Sequence, residues 1–138
     1  MLDESKPRRS TCPVNAALEV LGDRWSLLVV RNLMFGGARH FSDLLAAPEG
    51  IATNILARRL TALQQAGVVV ARPDPADGRS RIYGLTEKGV ALAPVVLELG
   101  RWGMTHEDGE PPPGLHAAYD ANPEGFMETL RSRLLNER

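Results

Sequence analysis

A chain of 138 residues, 43% of them hydrophobic, is long enough for one domain with its own core, and its single cysteine, Cys12, excludes an internal disulfide framework. No apolar run of about 18 residues predicts a membrane span, and the acidic start at Asp3 and Glu4 is unlike a secretory signal, so we expect a cytoplasmic protein. The net charge of −1 is unevenly spread: residues 1–105 carry 13 Lys and Arg against 10 Asp and Glu, whereas residues 106–138 carry 3 against 7. The basic excess of the first part is compatible with a polyanionic partner.

The first two predicted helices follow a polar and charged stretch. Residues 1–10 are expected to form a flexible arm. A first helix is predicted over Pro13–Leu21, since proline suits a first turn and Gly22 suits the position after the last one. Asp23 is placed to cap a second helix over residues 24–35, whose apolar residues recur at helical spacing.

Two more helices and a hairpin are predicted next. A short third helix is expected over residues 41–47, where a proline follows, and a fourth over residues 53–66, where a glycine follows. Two apolar runs, residues 68–72 and 81–85, have the composition of strands, and the Pro, Asp and Gly residues between them favour a turn. This order predicts a β-hairpin directly behind the fourth helix.

The remainder of the chain predicts helices around a linker. A long helix is expected over Thr86–His106, with a kink at Pro94 inside it. Three consecutive prolines within residues 108–114 indicate a linker, and an acidic helix is expected over residues 123–136. We therefore expect three segments: a flexible N-terminal arm at residues 1–10, a folded domain at residues 11–107, and a Pro-rich linker with an acidic helical tail at residues 108–138.

The fourth helix carries an exposed face without acids. With Leu56 at the centre of its buried face, polar residues fall opposite, and no Asp or Glu occurs from Thr53 to Gln65. A helix that approaches a polyanion should exclude carboxylates, while Asn and Arg fit the edges of adenine and guanine. The hairpin adds basic residues that could lie near phosphates. The candidate contacts to double-stranded DNA are Thr53, Asn54, Arg58, Thr61, Arg79 and Arg81.

Helices followed by a hairpin predict a mainly α fold with a small β-hairpin wing, the winged helix-turn-helix. The alternative is a winged-helix module that contacts only other proteins, and Asp74 and Asp77 on the hairpin loop keep it open. The scattered His40, His106 and His116 do not predict a metal site. No nucleophile motif or Gly-rich phosphate loop predicts an enzyme or a bound cofactor.

Several short segments occur in a characteristic order along residues 11–107: Cys12-Pro13-Val14, Gly22-Asp23-Arg24-Trp25, Leu27-Leu28-Val29-Val30, Arg39-His40-Phe41-Ser42-Asp43-Leu44, Gly50-Ile51, Leu56, Arg59, Leu60 and Leu63, Gly67-Val68-Val69, Tyr83-Gly84-Leu85-Thr86-Glu87-Lys88-Gly89, and Trp102-Gly103. In combination they resemble the HxlR family of bacterial winged-helix transcription regulators, which is related to MarR-like regulators. The resemblance implies a repressor or activator that binds a palindromic operator as a homodimer through its first and last helices.

An apolar stripe on the predicted last helix of the domain agrees with such an interface, although burial in the chain's own core is the alternative. The stripe consists of Leu92, Val95, Val96, Leu99 and Trp102. Some regulators of this kind use an N-terminal cysteine as a thiol switch, and Cys12 matches that position beside Arg8 and Arg9. Its alternative role is simple packing. A small-molecule effector stays open, because no residue identifies one.

Ala52, just before the fourth helix, departs from the family, where Ser is common. Alanine offers no capping oxygen, a loss of about 1 kcal/mol unless another residue caps the helix. Thr53 is a candidate for that role. Base recognition would then depend mainly on Asn54, Arg58 and Thr61.

Overall fold

The computed structural model describes residues 7–136, and within them eight helices surround one antiparallel hairpin. The expected arm at residues 1–10 therefore lies mostly outside the described residues. The elements are α1 (Pro13–Leu21), α2 (Ser26–Met34), α3 (Phe41–Leu45), α4 (Thr53–Gln65), β1 (Val69–Pro73), β2 (Arg81–Leu85), α5 (Glu87–Val90), α6 (Ala93–His106), α7 (Leu115–Ala121) and α8 (Pro123–Asn136). The predicted mainly α fold with a hairpin wing is confirmed. In the described part of the chain, no helix is both long and apolar enough to cross a membrane.

The predicted bounds hold for α1, β2 and α8, and small shifts elsewhere have local causes. Helix α2 begins at Ser26 rather than at residue 24, because the carboxylate of Asp23 accepts hydrogen bonds from the N–H groups ahead of it. Helix α3 ends at Leu45, because Pro48 disfavours helical backbone at Ala47, the residue before it. Strand β1 starts one residue late, because the Val68 N–H still donates to α4.

The prediction of one kinked helix over Thr86–His106 is wrong. The segment forms two helices, α5 and α6, separated by Ala91 and Leu92. Pro94 stands in the first turn of α6, where its missing N–H has no helical partner to lose. A proline that looks like an interior kink in the sequence is thus the start of a new helix.

The hydrophobic core joins the hairpin to helices from both ends of the chain. On α4, the side chains of Leu56, Leu60 and Leu63 are at most 2% exposed, as their helical spacing predicts. Leu130 of α8, 4% exposed, belongs to the same cluster. Its neighbours on α8 also pack against the core: Phe126, Met127, Leu134 and Leu135.

Polar contacts attach α7 and α8 as well. Arg101 of α6 pairs with Asp120 of α7 at 2.7 Å, and Arg133 of α8 donates to the carbonyl of Met34 at 3.1 Å. Helix α8 was expected to be acidic, but its two Glu are balanced by two Arg, so this expectation is wrong for the helix itself. The acidic excess lies elsewhere in residues 106–138.

Candidate nucleic-acid interface

Helix α4 is held at its middle by the start of α2. Asp23 accepts hydrogen bonds from the N–H groups of Trp25 (2.8 Å) and Ser26 (2.9 Å), so it binds the start of α2 as predicted, although Trp25 occupies the N-cap position. Its other oxygen lies 3.4 Å from the guanidinium of Arg59 on α4. Burial opposes ionisation of Asp23, but the hydrogen bonds from Ser26 and Trp25 outweigh it and lower the pKa of the carboxyl. Arg59 is therefore directed inward, away from the exposed face of α4.

The carboxyl end of α4 is fixed by the residues that follow the hairpin. Gly67 has φ of +77° and ends the helix, as predicted. The ammonium of Lys88 donates to the carbonyl of Ala66 at 2.7 Å, and the hydroxyl of Thr86 donates to the carbonyl of Gly67. These bonds satisfy carbonyls that a helix end leaves without partners and join α4 to α5.

The amino end of α4 has no side-chain cap. Ala52 is the extended residue before the helix and makes no capping hydrogen bond. Thr53 is already the first helical residue, so the suggestion that it caps the helix is wrong. Its side chain is exposed beside Asn54 at the tip of α4.

The exposed face of α4 consists of uncharged and basic side chains. Thr53, Asn54, Arg58 and Thr61 are all exposed. Within residues 7–136, neither the side chain of Asn54 nor that of Arg58 has an intramolecular hydrogen bond or ion pair. The hydroxyl of Thr61 donates to the carbonyl of Ala57 at 3.1 Å, so towards a ligand it is available as an acceptor. The acid-free face predicted from the sequence is thus presented to solvent as one surface.

The hairpin presents Arg79 and Arg81, both exposed, near its tip. Its two acids are engaged in shaping the turn: Asp77 accepts from the N–H of Arg79 at 3.1 Å, and Asp74 accepts from the N–H of Ala76 at 2.9 Å. The side chain of Asp74 is only 14% exposed, because it also faces His40. The negative charge of Asp74, which weakened the prediction of DNA contact, is therefore paired with His40 inside the protein.

His40 contacts the hairpin, and the sequence analysis did not predict this contact. Its ring Nε2 lies 2.8 Å from Asp74 Oδ2, and its Nδ1 lies 3.5 Å from Asp43 Oδ2 at the start of α3. The hydrogen bond to Asp74 raises the pKa of His40, and the same bond lowers the pKa of Asp74. The N–H of Tyr83 donates to the carbonyl of Arg39 at 2.7 Å beside this contact. Two bonds thus attach the hairpin to the chain before α3.

Large hydrophobic side chains are exposed on two further helices, α1 and α6. The large exposed hydrophobic side chains of residues 7–136 are Val14, Leu18, Val95, Leu99 and Trp102, which are 45–67% exposed. The predicted stripe is divided, since Leu92 and Val96 are half-buried and pack against the chain's own core. Cys12 is exposed and directly precedes α1. Among residues 7–136, no three His, Cys, Asp or Glu side chains are grouped to hold a metal ion.

A helix with an acid-free exposed face, preceded by a short helix and followed by a basic hairpin, defines the winged helix-turn-helix class of transcription regulators. Residues 20–111 match the model of the HxlR-like helix-turn-helix, and the chain belongs to that family. It is therefore a transcription regulator of the HxlR and MarR type and not an enzyme. Helices α7 and α8 lie beyond the matched residues.

Two regulators of Bacillus subtilis are similar in sequence. YvaP, described as an uncharacterized HTH-type transcriptional regulator, is 36% identical over 92 residues, which are 66% of this chain and 84% of YvaP. The HTH-type transcriptional regulator YodB is also 36% identical over 92 residues, covering 66% of this chain and 81% of YodB.

Solved structures of two regulators share the fold. The reduced form of YodB superposes with a TM-score of 0.59 at 34% identity, covering 73% of this chain and all (100%) of that chain. The oxidised form of the redox regulator HypR has a TM-score of 0.60 at 28% identity, covering 70% of this chain and 98% of that chain.

Proposed function

We propose that the protein is a cytoplasmic homodimeric regulator that binds a palindromic DNA operator through α4 and the hairpin. The observation that carries this proposal is the exposed face of α4, which has no acid and on which Asn54 and Arg58 have no internal partner within residues 7–136. Their polar groups are available to base edges without first breaking a bond within the protein. Membership of a family of transcription regulators supports the same conclusion.

The contacts divide between bases and backbone. Helix α4 enters the major groove, where Arg58 suits a guanine edge and Asn54 an adenine edge, each by two hydrogen bonds. Thr53 and Thr61 lie on the same exposed face and add contacts there. The exposed guanidinium groups of the hairpin, on Arg79 and Arg81, bind phosphates beside the groove and fix the orientation of the domain.

Dimer formation follows from the apolar surface on α1 and α6. Five large hydrophobic side chains are exposed on α1 and α6, and protein interfaces commonly cover such side chains. A two-fold dimer would place two α4 helices about 34 Å apart, one turn of DNA. Each half of a palindromic operator would then receive the same residues.

The test is DNA binding with matched arginine variants, measured by fluorescence anisotropy on the promoter region of the protein's own gene. Arg58→Ala should weaken specific binding by about 1–3 kcal/mol, whereas Arg131→Ala, the same change at an exposed position of α8, should leave it unchanged. Affinity should also fall steeply with salt, because phosphate contacts release counterions. Salt-insensitive or absent DNA binding would instead favour the protein-contact module, and equal behaviour of the two variants would remove Arg58 from the interface.

We also propose Cys12 as a thiol that modulates DNA binding. It is exposed, and it precedes α1, whose exposed residues Val14 and Leu18 belong to the proposed dimer surface. As the one cysteine of the chain it could form an adduct or a disulfide between two subunits, but no disulfide within one subunit. The similar structures of reduced YodB and oxidised HypR support a redox response.

A further inference from the structure

A cavity of about 230 Å³ lies behind the hairpin, between the end of α2 and helix α8. None of its lining residues is among the proposed DNA contacts. Helix α8 lies beyond residues 20–111, the segment that matches the family model, so this wall of the cavity is an addition to the common domain. The cavity thus has no role in the DNA contacts or in the proposed dimer surface.

The hairpin wall of the cavity is one face of the two-stranded sheet. Val70 lies opposite Gly84 and Arg72 opposite Ile82, and because side chains alternate along strands, these four residues share a face. Gly84 contributes no side chain to this face. The apolar part of the cavity is completed from the other elements by Leu33, Met34, Phe35 and Leu134.

The charged residues in the described lining of the cavity are all arginines. Three arginines reach it from three parts of the chain: Arg39 before α3, Arg72 on β1 and Arg133 on α8. Among the described residues that line it, none is an Asp or Glu. Arg133 is fixed by its hydrogen bond of 3.1 Å to the carbonyl of Met34, and a guanidinium has five N–H donors, so this one bond leaves capacity for an anion.

We propose that this cavity binds a small organic acid. Its carboxylate would be held by Arg39 and Arg133, and its apolar body would pack against Val70 and Ile82. Guanidinium groups suit a carboxylate because they can donate two parallel hydrogen bonds to it. A volume below the range of about 300–1,000 Å³ that is usual for drug-sized ligands selects an acid with one ring or a short chain.

An acid bound in the cavity would affect the position of the hairpin, because both of its strands line the cavity. An acid bound there bridges the hairpin to α2 and α8 and restricts its movement, so the position of Arg79 and Arg81 on DNA would depend on the ligand. This regulatory step rests on the proposed function, whereas binding of the acid does not.

The binding step is tested by calorimetry with benzoate, phenylacetate and hexanoate on the full chain, and with their neutral amides as controls. At least one acid should bind and its amide should not. Arg39→Gln and Arg133→Gln should each weaken binding about tenfold or more, since each removes hydrogen bonds to a charged group. Arg131→Gln, a neighbouring exposed arginine that does not line the cavity, should bind like the wild type.

A filled cavity gives a second test that keeps the charges. Val70→Phe places an aromatic residue on a strand that tolerates it and should abolish acid binding while the melting temperature is maintained. The proposal is overturned if no acid binds, if the amides bind equally well, or if the arginine variants match Arg131→Gln. DNA affinity is measured separately without acid, so failure of acid binding and failure of the proposed function are distinguishable.

Discussion

At the scale of single residues, His40 is bonded to Asp74 on the hairpin, which lies 34 positions further along the chain. Its ring contacts Asp74 on the hairpin and Asp43 at the start of α3. The hydrogen bond to Asp74 stabilises the charged form of the ring and so raises the pKa of His40 above its ordinary value of 6.5. The attachment of the hairpin should therefore depend on pH.

The direction of that dependence follows from the raised pKa. Below about pH 6.5 the ring is charged whether or not the hairpin is attached, and the ion pair with Asp74 is fully present; as pH rises through the raised pKa of His40, the pair and its stabilisation are lost. In Asp74→Asn, the pKa of His40 should return towards its ordinary value, measured by NMR titration of the ring. Asn still accepts the N–H of Ala76, so the turn is retained. An unchanged pKa of His40 in this variant would show that the pair does not form in solution.

The residues of the interface differ in how far the sequence predicts them. Exposure of Asn54 and Arg58 follows from the helical period once Leu56 is placed inside, and both are exposed as predicted. The contact of His40 with Asp74 has no local pattern, because it depends on how the hairpin folds back. The inward direction of Arg59 likewise depends on Asp23, a partner on another helix.

At the scale of elements, the sequence predicted the helix α8 but not the surface on which it packs. Its helical conformation and its bounds were predicted, but its partner surface is built by distant elements. The bond from Arg133 to Met34 joins residues 99 positions apart. Similarly, the apolar pattern runs continuously through Pro94, so periodicity alone could not separate a kink from the gap between α5 and α6.

Removing the core contact of α8 should destabilise the whole domain. Leu130 is 4% exposed, so Leu130→Ala should lower the free energy of unfolding by about 2–5 kcal/mol through lost burial and a new cavity. Urea unfolding followed by circular dichroism measures the change. Ser132→Ala, at an exposed position of the same helix, should stay within about 0.5 kcal/mol of the wild type. Equal stabilities of the two variants would mean that α8 does not pack on the core in solution.

At the scale of the whole molecule, the apolar and the basic surfaces are separate. The exposed hydrophobic side chains lie on α1 and α6, whereas the proposed DNA contacts lie on α4 and the hairpin. The half-buried Leu92 and Val96 support α6 from inside, which leaves Val95, Leu99 and Trp102 for a partner. The proposed dimer interface therefore leaves the proposed DNA contacts uncovered.

Interrupting the apolar surface should separate the subunits. Leu99 is 55% exposed, so Leu99→Glu places a charge in the proposed interface with little effect on the fold. Light scattering after gel filtration should give twice the 15.0 kDa chain mass for the wild type and for Ser132→Glu, and one chain mass for Leu99→Glu. A dimeric Leu99→Glu, or a monomeric wild type, would contradict the proposed interface.

The gap between α5 and α6 would affect the geometry of such a dimer. Helix α5 packs against β2 and α8 of the DNA-binding part, whereas α6 carries the apolar surface. In the chain, only Ala91 and Leu92 separate the two helices. The angle at this joint would set the distance between the two α4 helices. Operator selection would then depend on half-site spacing as well as on base sequence, and a change at the joint could alter the preferred spacing while every base contact stayed the same.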